Sequence, residues 1–471
     1  MGEISARPDG GRSDAGRSDA DGQVRRRLAA ICGDGFARPA GAADEVAGTL
    51  ARWVAAPATP AAVAEVVRLA GEYDLSVVAR GAGTKLDWGA APSRVDIVLD
   101  TGRLAGVWGH PTDDRLVEIG AGTPVRAAEA ILARAGRRLP FDVPSTGATI
   151  GGMVAAGEGG PLQHLSGPPG DQLVGVGYVD ATGRLGHAGT ARRPTVPAER
   201  ADPELTRLLC GSQGALGVLV SALLRVQPIP ERRIWVSRPV WTPLEMHDLV
   251  RQVRAAGLTP TAIEVDLPAG EPARPVVPRR IGGFRGHPPP DHPAGSARRA
   301  RPTGRGSGRL AVLIEGGAAD VAQRVSRLSQ LLGGDVRADD SPPHWWRRYP
   351  FQPDEIALRI EVPADDLHAA IYALRDAAGV PVPVRGSAGR GVVHAALPGS
   401  TRPEQVAAIL TGVRAVLSAR SGRCLVVAAP APVRSTVDLW GEVPELPLLR
   451  RLKQRYDPAR RLAPGRYPGG L

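Results

Sequence analysis

The chain has 471 residues, a formal net charge of +11 and 43% hydrophobic residues, which is enough apolar material for a sizeable core. Nearly all of its basic residues are arginines, and they lack the interleaved aromatics of a single-strand nucleic-acid binder. The widely spaced Cys32, Cys210 and Cys424 form neither a zinc motif nor a disulfide framework, and no apolar run is long enough to span a membrane. We therefore expect a cytoplasmic protein without a metal site, an integral membrane segment or a nucleic-acid partner.

The first half of the chain alternates between predicted helices and strands. Residues 1–27 have no apolar signal core and predict a disordered tail. A domain over 28–230 follows. Its elements are a helix capped by Thr59 and Pro60, strands at 75–79, 95–100 and 115–122, a helix beginning after Thr123 and Pro124, and a hairpin that turns at Thr182 and Gly183.

A second domain is predicted over residues 231–435. Strands alternate there with helices near 243–256, 318–332, 365–378 and 402–418, which favours an α+β arrangement with the helices on one face of a sheet. The stretch 270–308 is dense in Pro, Arg and Gly and has no hydrophobic period, so it predicts a disordered insertion. The closing segment, 436–471, contains an amphipathic helix followed by a Pro- and Gly-rich end.

Two glycine-rich stretches are candidates for binding an anionic cofactor. We name RGAGTKLDWG (80–89) the first glycine loop and PSTGATIGG (144–152) the second glycine loop. Both offer backbone N–H groups with little side-chain cover, a geometry that binds phosphate oxygens. Taken singly, such loops more often merely connect strands. The dinucleotide and P-loop motifs are absent, because Leu86 stands where GxGxxG needs glycine and Thr84-Lys85 has the wrong order.

Taken in order, the motifs resemble a known family. RGAGTKLDWG, VLDTGRL, EIGAGTPV, PSTGATIGGMVA, DQLVGVGYVDATGRL, GSQGALGVL and the closing LLRRLKQRYDPARRLAPGR are similar to the FAD domain of the vanillyl-alcohol-oxidase/PCMH superfamily, and within it to the FAD-binding subunits of bacterial glycolate oxidases. The resemblance covers residues 45–230 and 440–470 well and the part between them weakly. It implies an α+β, PCMH-type two-subdomain FAD fold with a ferredoxin-like cap domain.

The resemblance also implies a cofactor and its site. Noncovalent FAD is implied, since the first glycine loop lacks the histidine that often tethers FAD in this family. The implied cofactor-binding residues are Arg80, Gly81, Ala82, Gly83, Thr84 and Lys85 of the first loop, Pro144, Thr146, Gly147, Thr149, Ile150, Gly151 and Gly152 of the second, Val174, and Gly211, Gly214 and Gly217 of the GSQGALG turn.

The implied reaction is oxidation of a 2-hydroxy acid, which needs an anion clamp and a base for the hydroxyl proton. His394 and Arg359, on predicted strands of the cap, are the candidate catalytic residues, and His344 near Arg347 and Arg348 is a further candidate. For each, a purely structural role is the plainer interpretation. In the glycolate-oxidase assembly the partners are a larger FAD subunit and an iron–sulfur subunit, and this chain has no cysteine cluster of its own.

Three hypotheses remain open, and a nucleic-acid role of the arginine-rich stretch 270–308 is a distant fourth. The chain is a flavin-binding subunit of a 2-hydroxy-acid dehydrogenase complex, a stand-alone FAD oxidoreductase for another small molecule, or a degenerate structural subunit that has lost catalysis. The intact glycine loops favour the first two. The third is favoured by one departure from the family, since AAGEGGPLQHLSGPPGD replaces its Asn-containing segment and its Arg-Tyr-Gly.

Overall fold

A computed structural model of the chain describes residues 11–109, 115–189, 199–200, 204–269 and 308–471. The helices in these ranges are α1 (Gly11–Cys32), α2 (Pro60–Glu72), α3 (Val125–Arg134), α4 (Ile150–Ala156), α5 (Gln163–Ser166), α6 (Pro169–Gln172), α7 (Leu205–Leu209), α8 (Pro243–Ala255), α9 (Ala318–Leu332), α10 (Leu367–Ala378), α11 (Pro403–Ser418), α12 (Ala431–Thr436) and α13 (Leu446–Tyr456). Short 3₁₀ turns lie at Ala42–Asp44 and Ala364–Asp366.

The strands in the same ranges are β1 (Ala37–Pro39), β2 (Trp53–Ala55), β3 (Val77–Arg80), β4 (Ile97–Asp100), β5 (Val107–Gly109), β6 (Leu116–Gly120), β7 (Arg137–Arg138), β8 (Leu173–Val179), β9 (Leu185–Gly189), β10 (Glu199–Arg200), β11 (Val218–Arg225), β12 (Gln227–Pro228), β13 (Arg232–Val240), β14 (Ala262–Leu267), β15 (Gly308–Gly316), β16 (Arg337–Asp339), β17 (Ile356–Glu361), β18 (Val384–Ser387), β19 (Val392–Leu397) and β20 (Arg423–Ala428). No helix in the described ranges is long and apolar enough to cross a bilayer.

The first sheet has the strand order β1-β2-β4-β3, and its last three strands run parallel. The first glycine loop leaves the carboxyl end of β3, which is the usual edge for a ligand in a parallel sheet. The predicted cap of α2 is confirmed, since the Thr59 hydroxyl accepts the Ala62 N–H at 3.1 Å. Helix α3 begins after Thr123 and Pro124 as predicted, but Thr123 does not cap it, because its hydroxyl bonds to Gly106.

The N-terminal prediction needs one correction. Residues 11–27 lie in α1 rather than in a disordered tail, whereas residues 1–10 lie outside the described ranges. Val24, Leu28 and Cys32 recur every fourth residue and are all buried in the same hydrophobic cluster as α2 and the first sheet. This single apolar stripe explains why a polar, glycine-containing helix packs against the domain.

The second sheet has the order β10-β9-β8-β11-β6-β5, and it includes the predicted hairpin of β8 and β9. Asp180 fixes that hairpin turn, because its carboxylate accepts the backbone N–H groups of Thr182 and Arg184. Helix α4, which follows the second glycine loop, packs against β6 and β11. The sheet thereby holds the second glycine loop across the cleft from the first.

The remaining sheet forms the cap and is antiparallel throughout, in the order β16-β13-β15-β14-β18-β19-β17-β20. Helices α8 to α11 share one large hydrophobic cluster with its strands, as the sequence pattern predicts. The predicted disordered insertion lies outside the described residues, apart from Gly308, which begins β15. Arg138 of β7 joins the cap through a two-pronged ion pair with Glu315, with both contacts at 2.7 Å.

The closing segment returns to the first sheet. The N–H of Val77 donates to the carbonyl of Arg461, and the N–H of Ala463 donates to the carbonyl of Val77, both at 2.8 Å. Lys453 is only 1% exposed and donates to the carbonyl of Leu462 and to the carboxylate of Asp457, each at 2.7 Å. These contacts fix the segment beside β3, immediately before the first glycine loop.

Candidate functional site: a cleft between two glycine loops and the cap

A cleft of about 110 Å³ separates the first glycine loop from α4. The six predicted residues of the first loop line it, together with Thr149 and Gly152 from the second loop; the other lining residues are Val78, Ala79, Leu86, Trp88, Ala155, Ala156, Gln213 and Arg466. The site is thus built from a strand end, a helix start and the closing segment. The structure therefore brings together two stretches that are far apart in the sequence.

Close backbone approach explains two of the glycines. A Cβ on Gly81 would lie 2.1 Å from the Thr149 hydroxyl, and one on Gly151 would lie 2.7 Å from the Cβ of Ala121. The Thr149 hydroxyl caps α4 by accepting the N–H of Gly152 at 3.2 Å, so it cannot move aside without loss of that bond. These glycines are needed for packing within the protein.

Gly147 differs from Gly81 and Gly151, because a side chain there would not clash with the protein. A Cβ at this residue would meet only the Cγ2 of Thr84, at an ordinary 3.6 Å, and its backbone angle is not one that requires glycine. Packing among the described residues therefore does not account for the missing side chain. Gly147 itself does not line the cleft, but Gly81, Gly83 and Gly152 do, and this glycine-lined cleft fits a flat cofactor with phosphates.

Gln213 also indicates that a ligand binds in the cleft. It lines the cleft, its φ of 54° is in the left-handed region that ordinary residues seldom adopt, and its buried Oε1 has no hydrogen-bond partner in the part of the chain that the structure describes. Strained residues with unsatisfied polar atoms cluster at ligand sites. The sequence motif GSQGALG pointed to its glycines, whereas the structure places the glutamine side chain on the cleft.

Both cations of the first glycine loop are paired with carboxylates. The guanidinium of Arg80 contacts Asp44 and Asp100, each at 2.8 Å. The ammonium of Lys85 lies 2.5 Å from Glu158, and its side chain is 12% exposed. Both side-chain cations of the loop are therefore already ion-paired, so the loop offers the cleft no unpaired positive charge of its own.

Glu158 is the centre of a polar group that we name the junction cluster: Lys85, Ser145, Glu158, Tyr349 and His394. The Glu158 carboxylate is nearly buried and accepts the hydroxyls of Ser145 and Tyr349, both at 2.7 Å. The Tyr349 ring meets the edge of the His394 ring, with the centroids 4.8 Å apart. The cluster joins both glycine loops to the cap.

Of the two candidate catalytic residues, His394 belongs to this cluster and Arg359 lies next to it. Arg359 and His394 are opposite each other in the register of β17 and β19. Burial, reinforced by the charges of Arg359 and Lys85, lowers the pKa of His394 to about 3, so the imidazole is neutral at pH 7. Arg359 pairs with Glu361 at 2.5 Å. His344 lies elsewhere, in a groove beside β16.

A smaller cavity, of about 50 Å³, opens on the cap side of His394. Three arginines line it, Arg347, Arg348 and Arg385, together with Glu264 of β14 and Pro144 of the second loop. Burial and the neighbouring Asp142 raise the pKa of Glu264 to about 8, which keeps this carboxyl protonated near neutral pH. Arg385 pairs with Asp266 and Arg347 lies 3.7 Å from Glu129, so Arg348 is the arginine of this cavity for which no ion pair is recorded among the described residues, and the cavity suits a small carboxylate.

The other predicted cofactor residues do not line the cleft. Ile150 is fully buried, and the N–H groups of Ile150 and Gly151 donate to the carbonyls of Thr123 and Ala121. Val174 lies in β8, where its carbonyl packs against Gly189. The rest of this set are Pro144, which lines a smaller cavity, and Thr146, Gly147, Gly211, Gly214 and Gly217. No group of three His, Cys, Asp or Glu side chains that could hold a metal occurs among the described residues.

The fold and the cleft define an FAD-binding domain. The family described as FAD binding domain matches residues 51–189, which include both glycine loops. A solved structure of p-cresol methylhydroxylase with substrate bound covers 94% of this chain and 96% of its own, with a TM-score of 0.67 at 15% identity. The expected α+β, PCMH-type FAD-binding fold is confirmed, and FAD is the cofactor of this fold.

Two characterised relatives are similar over shorter stretches. The glycolate oxidase subunit GlcE of Escherichia coli K12 is 33% identical over 137 residues, which are 29% of this chain and 38% of that protein. The mitochondrial D-lactate dehydrogenase [cytochrome] of Arabidopsis thaliana is 38% identical over 95 residues, which are 20% of this chain and 16% of that protein. The matches thus span well under half the length of either relative.

Proposed function

We propose that this chain is a cytoplasmic FAD-dependent oxidoreductase of the glycolate oxidase type, which binds FAD noncovalently and oxidises a small 2-hydroxy acid. The observation that supports the proposal best is the junction cluster, because it brings His394 of the cap beside Lys85 of the FAD-binding domain. The arginine-lined cavity on the cap side of His394 suits the substrate carboxylate.

The residues have distinct roles in this proposal. The two glycine loops and Gln213 hold FAD, which when bound supplies the acceptor for a hydride from the substrate carbon. His394 is neutral, so it can accept the hydroxyl proton, and Arg359 opposite it stabilises the substrate anion. Tyr349 packs against the His394 ring and is itself held by the hydrogen bond that its hydroxyl donates to Glu158.

We also propose that the chain acts as one subunit of a complex. The printed name of the Escherichia coli relative describes a subunit, and a larger FAD subunit together with an iron–sulfur subunit would receive the electrons. The three cysteines of this chain are free and far apart in the sequence, so they supply no cluster ligands as a group.

The first test is the visible spectrum of the purified full chain, before and after acid precipitation. Flavin bands with the colour released into the supernatant are expected, whereas colour in the pellet would contradict noncovalent binding. Anaerobic glycolate or D-lactate should then bleach the flavin, and 3-hydroxybutyrate should not. A protein that cannot take up FAD would support the structural-subunit hypothesis, and flavin that only another substrate class bleaches would support the stand-alone oxidoreductase.

Two arginine variants test the substrate clamp. Arg359 and Arg423 both pair with Glu361, but only Arg359 lies opposite His394. Arg359→Met should raise the KM for the hydroxy acid by about tenfold or more, since a charge-assisted contact contributes about 1.5–3 kcal/mol. Arg423→Met should leave KM unchanged. Equal effects of the two variants would show that Arg359 acts only through the stability of the strand.

A further inference from the structure

Arg466, in the closing segment, contacts the backbone of the first glycine loop and also lines the cofactor cleft. The residue is 4% exposed, and its guanidinium donates to four backbone carbonyls. The acceptors are Trp88 at 2.8 Å, Leu86 at 2.9 Å, Lys85 at 3.3 Å and Ala90 at 3.4 Å. One side chain thus organises half of the loop that lines the cofactor cleft.

The charge of Arg466 is met by these carbonyl dipoles. No ion pair of Arg466 is recorded in the described part of the chain. Burial, together with the nearby charge of Arg434, lowers its pKa to about 10, so the side chain remains a cation at neutral pH. A buried cation without a carboxylate partner is costly unless its donors are satisfied, which makes the loop carbonyls essential partners.

The closing segment is itself rigidly held. Its pairing with Val77 and the buried Lys453–Asp457 pair fix residues 461–463. Arg434 adds a second contact to the loop through the carbonyl of Asp87, at 3.1 Å. The loop is therefore attached to a firm support through its own backbone carbonyls.

The loop has few bonds of its own. The structure records two turn bonds within it, from Leu86 N–H to the Gly83 carbonyl and from Trp88 N–H to the Lys85 carbonyl, both at 3.2 Å. The N–H of Gly89 donates outward to the carbonyl of Val427 in β20. A glycine-rich loop with so little internal bonding would sample many conformations if it lost its external donors.

We propose that Arg466 is a positioning residue for FAD binding: it holds the first glycine loop in the conformation that binds the cofactor, acting through the backbone of residues 85–90. This inference rests on the FAD-binding role of the loop. If the competent conformation falls from nearly all molecules to one in ten, the apparent dissociation constant rises about tenfold.

The test compares Arg466→Ala and Arg466→Lys with wild type in the full chain stripped of FAD. The readouts are the dissociation constant for FAD from fluorescence quenching, thermal stability without FAD, and hydrogen exchange at the amides of residues 82–90. Arg324→Lys is the matched control, because Arg324 donates to the carbonyls of Leu258 and Glu315 within the cap. It should leave FAD affinity within twofold of wild type.

Arg466→Ala should weaken FAD binding at least tenfold and speed hydrogen exchange in the loop. Arg466→Lys should give an intermediate effect, because a single ammonium cannot reach the carbonyls at both ends of residues 85–90. Affinity within twofold of wild type for a folded Arg466→Ala protein would overturn the proposal. If the alanine variant does not fold, the FAD affinity of the lysine variant is judged by the same limits, and an affinity within twofold of wild type would overturn the proposal. If even wild type does not bind FAD, the proposed function fails, and the exchange rates of the lysine variant still decide whether Arg466 holds the loop.

Discussion

Replacing Glu158 by glutamine isolates the charge at the centre of the junction cluster. The Glu158 side chain is 3% exposed and lies 2.5 Å from the Lys85 ammonium. Glutamine keeps an oxygen for the hydroxyls of Ser145 and Tyr349 but removes the negative charge. Breaking a buried ion pair costs about 3–5 kcal/mol. Because Lys85 keeps slight access to solvent, we expect the lower end, about 3 kcal/mol at pH 7.

The pH dependence identifies Lys85 as the source of this loss. Burial lowers the pKa of Lys85, and Glu158 partly offsets that effect, so Glu158→Gln should lower the pKa further. Between this lowered value and the ordinary value near 10.4, the unfolded chain binds more protons than the folded chain. Stability must therefore rise with pH in that window, by at most about 1.4 kcal/mol per pH unit.

The assay is urea unfolding of the FAD-free protein at pH 7 and pH 9. Glu315→Gln is the matched control, because Glu315 is equally buried but pairs with Arg138 and Arg233. Guanidinium groups do not deprotonate in this range, so the control should lose a similar stability at both pH values. The reasoning is refuted if the deficit of Glu158→Gln is the same at pH 7 and pH 9, or if this variant is as stable as wild type.

Three further predictions concern the cleft and its support. Ala156→Leu should weaken FAD binding about tenfold by placing a larger side chain in the cleft that Ala156 lines, while Ala255→Leu, on the exposed face of α8, should not; equilibrium titration with FAD distinguishes them. His394→Gln should slow flavin reduction by the hydroxy acid about 100-fold or more with an unchanged flavin spectrum, and stopped-flow absorbance measures this. Lys453→Met should cost about 3–5 kcal/mol in urea unfolding, because it leaves a buried carboxylate unpaired; a loss below about 1 kcal/mol would contradict the role we assign to that lysine.

The local patterns predicted the elements of the fold well. Helix α2 begins where Thr59 and Pro60 predict, and the hairpin turns at Thr182 and Gly183 as expected, since both signals act within a few residues. The tail prediction failed over 11–27 because a stripe of three buried residues is enough for a helix that packs on a neighbour. Tertiary burial there outweighs a weak local preference.

The candidate site was predictable only in part. The two glycine loops were visible in the sequence, because small residues there follow from local geometry and the close approach of backbones. Glu158, Tyr349, Gln213 and Arg466 were missed, since their roles depend on contacts between distant segments; Tyr349 and Glu158, for example, are 191 residues apart. A departure from the family pattern had drawn attention to the AAGEGG segment, but nothing local predicts that its glutamate pairs with Lys85.

The pairing of both loop cations with carboxylates has a consequence for ionic strength. Dissolved salt screens forces between separated charges over about 8 Å at 0.15 M, but it hardly affects hydrogen bonds from backbone N–H groups. A loop whose arginine and lysine are already neutralised by Asp44, Asp100 and Glu158 must hold a phosphate mainly through such short-range bonds. FAD should therefore stay bound through high-salt chromatography, even though the chain as a whole has a net charge of +11.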